Sequence, residues 1–152
     1  MTIEEKLAEL GIKLPTPPAP VAAYVPVVRT GNLCFVSGQL PIKDGRVMAS
    51  GSVPSPCSLE IARAGARLCA VNALAQLNAH LGSLDRVKQI VRVNGFVQST
   101  NAFTKQPEVL NGASEFLVEV FGEKGRHTRI AIGVFELPLN ATIQLDMIVE
   151  VE

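Results

Sequence analysis

From Ser58 to His80 the chain is rich in alanine, with Leu74, Leu77 and Leu81 at helical spacing and Gly82 placed to stop the helix. This segment constrains the fold most, because strands flank it on both sides and its apolar stripe must be buried against the sheet they form. Upstream, Ala22 to Thr30 reads as a strand, Gly31-Asn32 as a tight turn and Leu33 to Gln39 as its partner, closed by Pro41. Downstream, Val87 to Gln98 reads as a strong strand. Glu108 to Phe121 is an amphipathic helix burying Leu110, Phe116, Leu117, Val120 and Phe121, ended by Gly122 and Gly125. Thr128 to Glu136 and Ala141 to Val151 are two further strands around the turn Leu137-Pro138-Leu139-Asn140. The order ββαβαββ predicts an α+β domain with two helices on one face of a mixed sheet. The strands carry apolar residues on both sides, so the face without helices is expected to meet other subunits.

Ahead of this domain, Thr2-Ile3-Glu4-Glu5 is a capping box, opening a short helix through Lys6, Leu7 and Leu10 that Gly11 stops. Four prolines between Lys13 and Pro20 then impose an extended tether. The expected division is a helix and Pro-rich tether over 1–17 and the main domain over 18–152. Lys43 to Pro56, with Gly45, Gly51, Pro54 and Pro56, reads as a loop able to hold irregular extended pairing.

A chain of 152 residues is most simply one domain with a core of its own. Its 14 basic and 14 acidic residues cancel, and Lys and Arg do not cluster, so nothing invites a nucleic-acid backbone or an anionic membrane. With 47% hydrophobic and only 18% charged residues the chain is apolar for a small monomer, which favours an oligomer. Cys34, Cys57 and Cys69 are odd in number and lack C-x-x-C spacing, which argues for a reducing cytoplasm and against a zinc site. A secretory leader and an apolar run of about 18 residues are both absent, so a soluble, untargeted chain is expected.

Arg129 stands alone in the apolar run His127-Thr128-Arg129-Ile130-Ala131-Ile132-Gly133-Val134-Phe135. With alternate side chains facing opposite ways, Arg129 shares a face with Ala131, Gly133 and Phe135, while Ile130, Ile132 and Val134 line the other. A guanidinium half-buried in a sheet needs an anion that meets its planar fork. Spacing alone leaves three sources open: an internal Asp or Glu, solvent at a strand end, or a ligand carboxylate.

Three motifs, in order, shift the balance. They are Pro18-Ala19-Pro20-Val21-Ala22-Ala23-Tyr24 leading to Gly31-Asn32-Leu33-Cys34-Phe35-Val36-Ser37-Gly38-Gln39-Leu40-Pro41; Val109-Leu110-Asn111 opening the second helix, followed by Phe116; and Thr128-Arg129-Ile130-Ala131-Ile132-Gly133-Val134 followed by Leu137-Pro138. Together they resemble the RidA family of imine deaminases, also called YjgF, over about residues 18 to 150, in a branch lengthened by the N-terminal helix and the 43–56 loop. The resemblance implies a chorismate-mutase-like fold, a homotrimer with ligand clefts between subunits, and hydrolysis of enamines and imines of the 2-aminoacrylate type to 2-oxo acids and ammonia without a cofactor or metal.

By the same resemblance, Arg129 binds the substrate carboxylate and the backbone near Gly38 and Ala131 bonds the substrate or the attacking water. Tyr24, Ser37 and Asn111 match pocket positions of the family. Tyr24 is equally readable as a core ring, and Ser37 as a turn former. Gln144 stands where the family's deaminases carry a glutamate that orients water, and an amide can orient water but cannot titrate. Asp146, two residues on and on the same strand face, is a conceivable substitute but reads rather as a surface carboxylate. Ala131 replaces a family cysteine. His80 is expected to meet the last carbonyls of its helix, His127 to occupy an exposed turn, and Cys34 and Cys69 to be inert packing thiols. Two competing functions remain: a non-catalytic sensor of small 2-oxo carboxylates, and an endoribonuclease, which a neutral surface disfavours.

Overall fold

The computed structural model describes residues 1–17 and 23–152. Its central sheet has five strands in the order β1 (Val27–Thr30), β2 (Leu33–Gln39), β7 (Ile143–Val151), β5 (Val87–Gln98) and β6 (Thr128–Val134). The β5–β6 pair is parallel and the others antiparallel, giving the mixed sheet expected from the element order. Both long helices, α2 (Leu59–Leu81) and α3 (Gln106–Phe121), pack on one face.

Local chemistry sets the boundaries. Ser58 caps α2 by accepting from the Ile61 N–H at 3.2 Å, and Gly82 ends it in the left-handed region at φ 83°. The second helix starts two residues earlier than the Glu108 expected, with Pro107 in its first turn, where no intrahelical N–H is required. The first strand begins at Val27 rather than Ala22. Residues 23–26 bend, and Pro26 has no N–H to offer a ladder, although its carbonyl still accepts from Ser37. The last two strands are likewise shorter than expected, because Leu139 and Asn140 take positive φ in the connection between them.

The 43–56 loop holds a small hairpin of its own, β3 (Ile42–Lys43) and β4 (Arg46–Val47). Asp44 and Gly45 turn it with φ of 52° and 75°. Asp-Gly is the signature of such a two-residue turn, so the signal was present in the sequence. The N-terminal helix α1 (Ile3–Glu9) forms the expected capping box. It lies against α3, with Leu7 buried and the Ile3 N–H donating to Asp85 Oδ1 at 2.8 Å.

The core lies between the sheet and the two helices. From β7 it takes Ile143, Leu145, Met147, Val149 and Val151, and from β5 Val87, Ile90, Val93 and Val97. The alternate residues point the other way. Phe35, Arg92, Asn94, Phe96, Ile130, Ile132, Gln144, Asp146 and Ile148 lie on the face without helices, with Ile132 46% and Phe35 42% exposed. A sheet with a wet side would carry polar residues there, so the apolar ones match the uncovered face read from the sequence. Asp146 is not the ordinary surface carboxylate expected. It is half-buried and accepts from Asn94 Nδ2 at 2.7 Å, while Asn94 Oδ1 accepts from Arg92 Nε at 2.8 Å.

Candidate functional site

Arg129 projects from β6 toward α3, on the same side as Ala131 and Gly133, in the alternation expected. Phe135 lies beyond the end of the strand and is 88% exposed, so it does not share that wall. Leu110 fixes the height of α3 above the sheet by occupying the space over Gly95, where a Cβ would stand 2.4 Å from its side chain. Asn111 and Ser114, three apart on the helix, then face β6 together. Asn111 lies in the second turn of α3 rather than at its start, and it caps nothing.

Arg129 Nη1 donates to Asn111 Oδ1 at 2.9 Å and to Ser114 Oγ at 3.1 Å. Both hydrogens of Nη1 are therefore used. The edge formed by Nε–H and Nη2–H remains, and this is a geometry that takes a carboxylate through two parallel hydrogen bonds. Among the described residues, no carboxylate stands within ion-pair distance of Arg129, so the internal Asp or Glu left open by the sequence is not its partner. Burial lowers the guanidinium pKa from its ordinary value, and the group stays charged at any physiological pH.

Ser114 was not a sequence candidate, and His127 is not the exposed turn residue expected. The imidazole is half-buried, with Nε2 at 2.9 Å from Ser114 Oγ and Nδ1 at 2.6 Å from the Gly125 carbonyl oxygen. Its pKa is lowered, chiefly by burial and further by Arg129, against the opposing pull of the Gly125 carbonyl. The i, i+3 relation of Ser114 to Asn111 was the available signal.

The other expected site residues stand elsewhere. Gly38 lies at the irregularity between Val36 and Gln39, where β2 slips against β7. Gln144 reaches over it on the face without helices, and a Cβ on Gly38 would stand 2.5 Å from Gln144 Nε2. Ser37 adjoins Gly38 in the same irregularity. Tyr24 is 68% exposed ahead of β1, so its ring is not part of the core of this chain. Residues 18–22 of the first motif lie outside the described residues. One chain thus unites Arg129, Asn111 and Ala131 on one side of the sheet, and Gly38 with Gln144 on the other.

A cleft of about 960 Å³ opens past the end of β6, walled by Gln98, Ser99, Gln106, Gly133, Phe135 and Asn140; the Arg129 side chain is not in its wall. Cys34 and Cys69 are fully buried with thiol pKa values pushed up by burial, as expected of inert thiols. His80 is exposed in the last turn of α2. Among the described residues, no three His, Cys, Asp or Glu side chains gather as a metal site, and no helix is long and apolar enough to cross a membrane.

The fold agrees with comparisons to known proteins. The model of the family described as "YjgF/chorismate mutase-like, putative endoribonuclease" matches residues 4–151, so the chain belongs to the RidA/YjgF family and has its chorismate-mutase-like fold. Protein TCP17 of Trypanosoma cruzi is 44% identical over 149 residues, covering 97% of this chain and 93% of its own. A 2-iminobutanoate/2-iminopropanoate deaminase of Dermatophagoides farinae is 28% identical over 141 residues, covering 93% of this chain and 95% of its own. A crystal structure described as a "putative endoribonuclease" of Shewanella oneidensis MR-1 superposes with a TM-score of 0.95 at 33% identity, covering 99% of this chain and all of that one.

Proposed function

We propose that the protein binds small 2-imino and 2-oxo carboxylates at Arg129 and hydrolyses enamine and imine intermediates of 2-amino acids to 2-oxo acids and ammonia. The observation that carries this reading is the free Nε–Nη2 edge of Arg129, a half-buried cation whose protein partners, Asn111 and Ser114, are both neutral. The deaminase relative from Dermatophagoides farinae supports the reaction class.

The chemistry asks little beyond positioning. The enamine tautomerises to a 2-imino acid, water adds to the imine carbon as the nitrogen takes a proton, and the C–N bond breaks to release ammonia and the 2-oxo acid. Holding carboxylate, imine carbon and water in line contributes several kcal/mol to such a step. In this reading the backbone near Ala131 and Gly38 bonds the reacting groups, Gln144 orients the water, and Tyr24 and Ser37 border the substrate. These groups belong to two half-sites in a single chain. We therefore read the active unit as a homotrimer, in which the edge strand β6 carries the Arg129 half-site of one subunit to the Gly38–Gln144 half-site of the next.

Ammonia release from enzymatically generated 2-iminopropionate tests the proposal. Wild-type protein should accelerate it and Arg129→Ala should not. Lack of acceleration by the wild type, or full activity in Arg129→Ala, overturns it. Gln144 favours one alternative, a sensor of 2-oxo acids that has lost the chemistry, because an amide cannot exchange a proton. Binding of 2-oxobutyrate without turnover would select the sensor. The ribonuclease named in the family description finds no electrostatic support in a chain of 14 basic and 14 acidic residues, and ribonuclease assays at varied salt check it.

A further inference from the structure

Four groups in a row join the backbone beyond α3 to the proposed carboxylate anchor: the Gly125 carbonyl, His127, Ser114 and Arg129. The direction of each hydrogen follows from chemistry. A carbonyl only accepts, so His127 Nδ1 carries a hydrogen whatever the charge of the ring. Neutral His127 then has a bare Nε2, and at 2.9 Å Ser114 must donate its hydroxyl hydrogen to it. With that hydrogen committed, the Ser114 lone pairs are free to accept from Arg129 Nη1 at 3.1 Å. All the hydrogens point the same way, from guanidinium to carbonyl, an arrangement in which each bond strengthens the next.

We propose that Ser114 and His127 are positioning residues, which hold Nη1 of Arg129 in place so that its Nε–Nη2 edge faces a carboxylate ligand. The proposal rests on the reading of Arg129 as the carboxylate anchor. Without Ser114, Nη1 keeps one bond, to Asn111, and the guanidinium can swing about it. Protonation of His127 has a similar consequence. Nε2–H then donates to Ser114 Oγ, and that oxygen lies between two cations, which pushes Arg129 away. Among the charged groups near the ring, Arg129 is the one that acts on its charge. The neighbouring Arg126 is paired with Glu123 at 3.2 Å in solvent, α3 presents the neutral Ser114, and the neutral Gln89 of β5 bonds the Arg126 carbonyl.

The sign of the pH response separates positioning from simple charge. An added positive charge near the site would strengthen binding of an anion; loss of the aligned fork weakens it. Calorimetric titration with 2-oxobutyrate should therefore show affinity holding down to about pH 6.5, the ordinary histidine pKa, and falling severalfold as the pH drops below it toward the lowered pKa of His127. Ser114→Ala should lose roughly tenfold at neutral pH, the scale of one hydrogen bond to a charged group. Ser114→Thr, which keeps the hydroxyl, should recover most of that loss. His127→Asn retains a donor for the Gly125 carbonyl but removes the acceptor for Ser114, so it should bind more weakly and lose the pH dependence. Nitrogen-15 spectra should show His127 as the Nδ1–H tautomer, independently of any ligand. Affinity unchanged in Ser114→Ala, affinity that rises on acidification, or the opposite tautomer overturns the positioning role while wild-type binding that depends on Arg129 leaves the anchor standing. If wild type fails to bind, or Arg129→Ala binds equally well, the anchor fails and the positioning role with it.

Discussion

Asn111 Oδ1 accepts from Arg129 Nη1 at 2.9 Å, so the arginine's nearest polar partner on α3 is an amide and not a carboxylate. The difference decides what the guanidinium can still do. An amide holds one nitrogen without neutralising the charge, and the cation stays available to an anion from outside the chain.

Asn111→Asp should remove that availability. A carboxylate at the same place would pair with Arg129 internally and compete with the ligand. We expect 2-oxobutyrate affinity to fall about tenfold or more, with thermal stability held or slightly raised, since an internal ion pair offsets its own desolvation here. Calorimetry together with a melting curve checks both; equal affinity in the variant would show that the Arg129 edge is not the anion site.

Gln144→Glu should raise imine hydrolysis. The substitution places a titratable group where Gln144 now covers Gly38. If proton transfer at the attacking water limits the rate, the gain should be on the order of the 10²-fold associated with general acid–base groups. Steady-state ammonia release measures it. A variant no faster than wild type would mean that orientation of water by the amide already suffices, or that the position is remote from the chemistry.

Gly112→Ala should destabilise the fold although alanine is the better helix former by about 1 kcal/mol. A Cβ on Gly112 would lie 2.1 Å from the backbone carbonyl oxygen of Arg63, and backbone cannot step aside as a side-chain tip can. We expect a net loss of roughly 1–3 kcal/mol, the usual scale of overpacking. Urea unfolding gives the value; a stabilised variant would show that α2 and α3 separate freely.

Phe35→Asp should disrupt assembly. The ring lies opposite Ile148 on the face without helices, where the proposed trimer would bury the new carboxylate without a partner, a strongly unfavourable change. Light scattering should report a monomer, with imine hydrolysis lost because the two half-sites no longer meet. Retention of the wild-type mass would place the subunit interface elsewhere.

Acid stability should depend on His127. Its folded pKa lies below the unfolded value of about 6.5, so the unfolded chain binds more protons as the pH falls through that value. The contribution is fully present above that value and is lost as the pH falls toward the folded pKa. Unfolding free energies measured across this window should decline more steeply for wild type than for His127→Asn; parallel slopes would assign the acid sensitivity to other groups.

The periodic segments were legible because their signals are local. The α2 helix, with Ser58 and Gly82 at its ends, and the Val87–Gln98 strand follow from spacing and punctuation alone. The Asp44-Gly45 hairpin signal is equally local, but the neighbouring glycines and prolines, which favour irregular backbone, obscure it. For Arg129, strand alternation correctly gave its companions Ala131 and Gly133, and lost Phe135 because the strand stops at Val134.

What the sequence determined by itself, then, was the order of the long elements, the face that Arg129 shares with Ala131 and Gly133, and a lone cation on an apolar strand. These depend on periods of two and 3.6 residues along one chain. The tertiary structure decided which groups meet that cation. Asn111, Ser114, His127 and Arg129 come together because Leu110 seats α3 over Gly95 and the Gly125 carbonyl turns the imidazole toward the helix. Contacts of that kind depend on the distance between a helix and a sheet, and no spacing within either element encodes it.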